Sequence, residues 1–221
     1  MKVRDLVAGS IFTPGAGYTA EPAPRVSVIL PTFRRGDSDM LRRAIDSVLS
    51  QSLRELELII VDDGSTGSTA SVIADAMAND PRVSVIRHPR NIGLPAVSEY
   101  EGYVRARGDR IAFAFDDTVF YPGSLEALLA HSDAHPDAAI AGYFEMFYRT
   151  TPDGPLYSTP LGLDADLANL LWRNVIPNGA VMLPRQIIEV VGLYDPHISL
   201  ARLCDYDLWL RVRRRSPIRT V

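Results

Sequence analysis

The chain contains a single cysteine, Cys204, among its 221 residues. An intramolecular disulfide is therefore excluded, and a reducing compartment is the expected setting. No apolar run approaches the ~18 residues that a membrane-spanning helix requires. Lys2 and Arg4 precede the short apolar stretch 6–12, which is too broken for a signal peptide. The expectation is a cytoplasmic protein with no membrane span. A net charge of −4 gives no electrostatic case for a nucleic-acid partner. His88, His131, His135 and His197 show no metal-ligand spacing. There is no internal repeat and no low-complexity segment.

With a hydrophobic content of 47%, the chain can build a sizeable core, as one large α/β domain or two small ones. Three apolar runs read as buried strands. Val26–Leu30 leads into Pro31-Thr32-Phe33, Leu56–Val61 ends in Asp62-Asp63-Gly64-Ser65, and Arg110–Phe115 ends in Asp116-Asp117. Helical segments alternate with them, the signature of βαβ units and a parallel sheet. Ligands bind at the C-terminal ends of such strands. Paired carboxylates there suit Mg²⁺ or Mn²⁺ bridging to phosphates. Each Asp pair is also good turn chemistry, so metal site and turn stand as two readings.

Periodicity predicts helices over 39–51, with Asp37, Ser38 or Asp39 as N-cap, and over 69–78. A strand follows at 83–87 and a helix at 94–107, with Gly108 as its C′ residue. Further expectations are a helix from Pro122-Gly123 to 130, an antiparallel strand over 138–148 and a loop over 150–163. Helices at 165–172, 186–191 and 206–214, a strand at 179–183 and an extended segment at 217–221 complete the pattern.

The runs Val26–Phe33, Ala44–Ser52, Leu58–Ser65 and Asn91–Leu94 stand in the order of a known family, followed by Asp116-Asp117 and Asp205–Arg211. Together they resemble the inverting family 2 glycosyltransferases, over roughly residues 25–221. The resemblance implies an α/β fold of the GT-A type, Rossmann-like, a three-layer sandwich around a mixed, mostly parallel sheet. It also implies one domain over 25–221 after an N-terminal extension of 1–24. Residues 25–118 would hold the nucleotide and 119–221 would shape the acceptor side. Many members continue beyond the point matched by Val221, so a C-terminal continuation can be missing.

Carried over residue by residue, the resemblance puts Pro31, Thr32, Phe33, Asp63, Asp116 and Asp117 around the donor nucleotide. Asp117 would be the metal ligand and Asp205 the general base. The family's Asp-any-Asp arrangement begins here with Phe115, and Cys204 stands where its Glu precedes the base. Trp172, Asn178 and Gly179 loosely match the segment lining donor sugar and acceptor. Trp172 also reads as core, and Asp205 as a helix N-cap. The implied cofactor is Mn²⁺ or Mg²⁺ and the donor a nucleotide-diphosphate sugar, with UDP favoured. The acceptor is a glycan, lipid-linked or small-molecule hydroxyl, added singly because no Gln-any-any-Arg-Trp run occurs. An oligomer is compatible with the sequence. Alternatives are a catalytically silent nucleotide- or glycan-binding relative and a sugar-nucleotide nucleotidyltransferase.

Overall fold

The computed structural model describes residues 3–162 and 167–221. In chain order it contains α1 (Val3–Leu6), β1 (Ile11–Thr13), β2 (Val26–Thr32), α2 (Met40–Leu49), β3 (Leu56–Asp62) and α3 (Ser68–Asn79). β4 (Val83–Arg87), α4 (Pro95–Arg105), β5 (Arg110–Phe113), α5 (Ser124–Ala134) and β6 (Ala139–Ala141) follow. A hairpin of β7 (Phe144–Tyr148) and β8 (Tyr157–Leu161) precedes β9 (Val181–Pro184), α6 (Arg185–Val191), α7 (Cys204–Arg213) and β10 (Ile218–Thr220).

Among the described residues, the main sheet has eight strands in the order β1-β4-β3-β2-β5-β9-β6-β10. β4, β3, β2 and β5 run parallel, whereas β9 is antiparallel to both β5 and β6. Every residue of β3 is buried, the mark of a strand covered on both faces. Alternation then splits the core in two. Val28, Leu30, Leu58 and Ile60 pack under α2, α3 and α5, beside Leu41, Ile45, Ile73 and Leu125. Ile29, Ile59 and Val61 face the opposite layer, with Ile188, Leu208 and Trp209 of α6 and α7. This is the expected α/β three-layer sandwich. Strand order reverses between β2 and β5, which opens a crevice at their C-terminal ends.

Several expectations change. Residues 1–24 are more than an extension, because β1 pairs antiparallel with β4 and becomes the sheet's edge. The stretch 138–148 is two strands: β6 pairs with β9, while β7 leaves the sheet to pair with β8. Part of the expected loop 150–163 is therefore strand, since Tyr157–Leu161 finds its partner in Phe144–Tyr148, across a turn that local pattern does not reveal. Gly108 does not terminate α4, which ends at Arg105. Its backbone instead meets β2, where an added Cβ would lie 2.7 Å from the Ser27 nitrogen. The expected helix 165–172 lies partly outside the described residues, and its remainder is a 3₁₀ turn at Leu167–Leu171.

Gln51 fastens the loop that follows Asp117. Its amide donates to the Tyr121 carbonyl at 3.0 Å and accepts from the Leu125 N–H at 3.2 Å. Ser47 Oγ accepts from the Phe120 N–H at 3.1 Å. Gln51 is 1% exposed. Gln51→Leu strands buried polar groups, so urea unfolding should show a loss of about 2–3 kcal/mol at unchanged m-value. A loss under ~0.5 kcal/mol would mean the loop does not depend on this clamp.

Candidate active site

The crevice between β2 and β5 brings together residues far apart in sequence. Thr32 Oγ1 donates to Asp116 Oδ2 at 2.8 Å, and the Phe33 N–H approaches the same oxygen at 3.4 Å. Arg35 Nε donates to Asp116 Oδ1 at 3.2 Å, and its Nη2 lies 3.7 Å from Asp117 Oδ2. Burial pushes the Asp116 carboxyl up, against the lowering effect of Thr32 and Arg35. Asp117 is half exposed, with a side chain at 50%. Phe33 lies half-buried under the Arg34 guanidinium, 5.0 Å from its ring centre.

Asp63 ends the neighbouring strand and is almost fully engaged by the protein. Oδ1 accepts from His88 Nδ1 at 2.7 Å and the Ile92 N–H at 2.8 Å. Oδ2 accepts from the Gly93 N–H at 2.9 Å and Asn91 Nδ2 at 2.8 Å. A base N–H can reach Asp63 only through the tenth of its side chain left exposed. Asp62 closes the turn, accepting from the Ser65 N–H at 2.8 Å.

His88 bridges Asp63 to Glu101, whose Oε2 lies 2.5 Å from Nε2. The sequence reading missed this histidine. The parallel register sets Arg87 beside Asp62, which puts His88 next to Asp63. Burial alone would lower its pKa, yet the two carboxylates raise it to about 9. Burial likewise opposes the Asp63 charge, but its hydrogen bonds outweigh burial and hold its pKa below the ordinary value. A folded-state pKa above the unfolded 6.5 means the native state binds more protons between them. Stability from this bridge is complete below pH 6.5 and lost as pH rises through 9. Melting temperature should therefore fall across that window in the wild type, and His88→Gln should flatten the fall. Parallel pH profiles for the two proteins would remove the imidazolium from the account.

On the acceptor side, Asp205 sits in the first turn of α7, behind Leu203 at the cap position. It is not the N-cap expected from sequence, because the helix begins one residue earlier, at Cys204. Asn174 Nδ2 donates to its Oδ2 at 2.8 Å. Asn178 Oδ1 accepts from the buried Tyr194 hydroxyl at 2.6 Å, and Gly179 lies against Thr118 and Phe115. These contacts carry the chain from the Asp116-Asp117 turn toward Asp205. Trp172 is 85% exposed and is not core. Arg211 is committed to the end of α6, donating to the Val191 carbonyl at 2.6 Å and the Leu193 carbonyl at 2.7 Å.

Glu99, also missed in the sequence, lies beneath this side with 1% exposure, and its Oε2 has no hydrogen-bond partner among the described residues. Burial, and then the Asp205 charge, raises its pKa well above the ordinary value. Burial also pushes the Cys204 thiol up to about 12, so it stays a neutral thiol near neutral pH.

A cavity of about 490 Å³ opens beside Asp117, lined by Met40, Arg43, Tyr121, Tyr143, Phe144 and Phe147 among others. Among the described residues, no group of three or more His, Cys, Asp or Glu side chains could hold a metal. Phe115 supplies no oxygen ligand, and Asp116 is engaged by Thr32 and Arg35. The half-exposed Asp117 carboxylate fits Mg²⁺ or Mn²⁺, ions that take most of their ligands from water and phosphate.

Comparison with known proteins gives this geometry a context. The family model described as glycosyl transferase family 2 matches residues 27–189. A putative colanic acid biosynthesis glycosyl transferase of Escherichia coli, WcaA, is 30% identical over 195 residues, covering 86% of this chain and 66% of that protein. Across curated relatives from Rickettsia and E. coli, the chain spans from 28% to 66% of their length. Staphylococcus aureus TarS 1–349 in complex with UDP superimposes with a TM-score of 0.68 at 17% identity, over 89% of this chain and 57% of that one. The Pyrobaculum calidifontis mannosyltransferase PcManGT, in complex with GDP-Man and Mn²⁺, gives 0.66 at 16% identity, over 99% and 60%.

Proposed function

Because the chain belongs to glycosyl transferase family 2, we propose that it moves a sugar from a nucleotide-diphosphate donor, with UDP-sugars favoured, to an acceptor hydroxyl with inversion. The observation that carries this reading is the crevice between β2 and β5, where Thr32, Asp116 and the half-exposed Asp117 converge. The UDP complex of TarS supports uridine as the first base to try.

Pro31, Thr32 and Phe33 would border the nucleotide, and Asp63 would meet the base through its remaining exposed edge. Asp116, oriented by Thr32, would contact the ribose or sugar side. Asp117 would hold Mn²⁺ or Mg²⁺, which when bound supplies charge neutralisation at the leaving diphosphate. Asn174 holds one Asp205 oxygen; the other would take the proton of the acceptor hydroxyl as the hydroxyl oxygen bonds to the anomeric carbon and the bond from that carbon to the diphosphate oxygen breaks. Attack opposite the leaving group inverts that carbon. Asn178, Gly179 and the exposed Trp172 would line the acceptor and donor-sugar side.

Calorimetric titration of UDP with and without Mn²⁺, on the wild type and Asp117→Ala, tests the reading. Metal-dependent binding that Asp117→Ala removes is the expected result. A second reading, a silent binding relative, is favoured by Phe115 and Cys204. It predicts nucleotide binding with no transfer from any of a panel of UDP-, GDP- and dTDP-sugars.

A further inference from the structure

Arg35 has no part in the chemistry above, yet its segment is held firmly. Among the described residues, Arg34 alone of the non-glycine residues has positive φ, at 53°. Such backbone strain persists only where the surroundings over-determine it, and it clusters at functional sites. Those surroundings are visible on both sides of Arg35. The Arg34 N–H donates to Ser65 Oγ at 3.0 Å, and the Gly36 N–H donates to Thr69 Oγ1 at 2.8 Å. A Cβ at Gly36 would lie 2.1 Å from the Thr69 nitrogen, so the loop fits only in this position. The result aims one guanidinium across two carboxylates, 3.2 Å from Asp116 Oδ1 and 3.7 Å from Asp117 Oδ2.

We propose that Arg35 is an exchangeable counter-ion. In the donor-free protein it neutralises the Asp116-Asp117 pair and competes with any cation for Asp117. When the donor arrives, its guanidinium turns onto the diphosphate. The inference rests on the reading of a nucleotide-diphosphate donor in this crevice. Three features support it. The Arg35 side chain is 45% exposed, so the pair it makes is weak enough to be exchanged. A guanidinium matches phosphate oxygens as well as it matches carboxylates, through the same planar fork. Phe115 also leaves the turn one carboxylate short, so less of the diphosphate charge can be met through a metal and more falls to a cationic side chain. Divalent cation and nucleotide should then bind together, each clearing the way for the other.

The test is Mn²⁺ titration followed by electron paramagnetic resonance, without nucleotide, on wild type, Arg35→Gln and Arg35→Lys. With the competing charge removed, Arg35→Gln should bind Mn²⁺ about fivefold or more tightly than wild type. Arg35→Lys should stay within about twofold, because it keeps the charge. Adding Asp117→Asn to Arg35→Gln should abolish the gain. In calorimetry at saturating Mn²⁺, where the cation has already displaced Arg35 from Asp117, Arg35→Gln should weaken UDP binding by about tenfold. Unchanged or weaker Mn²⁺ binding by Arg35→Gln, or a gain that survives Asp117→Asn, overturns the competition. Unchanged UDP affinity overturns the exchange onto phosphate. A wild type that binds no UDP in either condition defeats the donor reading and the exchange with it, while the Mn²⁺ series still decides the competition.

Discussion

Asp117→Asn should lower sugar transfer by about 10³-fold or more while leaving the protein folded. Half of this side chain is exposed, and among the described residues it pairs only with Arg35, at 3.7 Å. Exposed pairs of that length contribute little to stability, so melting should shift by no more than a degree or two. The catalytic effect is larger because charge develops on the leaving diphosphate in the transition state. Neutralising it is worth several kcal/mol, and each ~1.4 kcal/mol is tenfold in rate. Phe115 sharpens the expectation, since the turn holds no second carboxylate at that position to take over. Steady-state kinetics with the donor that the wild type accepts is the measurement. Activity within tenfold of wild type would take Asp117 out of the chemistry.

Asp205→Asn should act on turnover with little change in donor affinity. General bases contribute about 10²–10⁴ in rate, and the loss should appear in kcat. Asp205 lies in the first turn of α7, where a carboxylate favours the helix dipole, so a stability loss of about 0.3–1 kcal/mol should accompany the substitution. The groups proposed to hold the nucleotide belong to β2, β3 and the turn after β5, so UDP affinity should stay within about threefold. If kcat is retained, or if UDP affinity falls in step with activity, Asp205 is structural. The buried Glu99 would then be the next carboxyl to examine, because its Oε2 lacks a hydrogen-bond partner among the described residues and it interacts electrostatically with Asp205.

Much of the architecture was legible in the sequence because it is encoded locally. Val26–Leu30 and Leu56–Val61 are apolar on both sides of the pleat apart from Ser27 and Glu57, which suits strands covered on both faces. The stripe Leu41, Ala44, Ile45 and Val48 marks the buried side of α2. The carboxylates at strand ends follow from the same pattern, since Asp is favoured in the turns that close such runs. Only the core alternative for Trp172 fails, because hydrophobicity speaks to burial only on average and the side chain stands 85% exposed.

The sequence by itself determined the alternation of strands and helices, the layered α/β class and the positions at which Asp63, Asp116 and Asp117 leave the sheet. These depend on hydrophobic period and turn chemistry within a few residues. Only the tertiary structure decided what those carboxylates meet. Arg35 reaches Asp116 across 81 positions of chain, Asn91 reaches Asp63 across 28, and Asn174 reaches Asp205 across 31. Such pairs are set by strand order, by parallel register and by crossovers that return the chain to the same edge of the sheet. No local period records them, which is why the His88 bridge and the Arg35 counter-ion came into view only once β2, β3, β4 and β5 stood side by side.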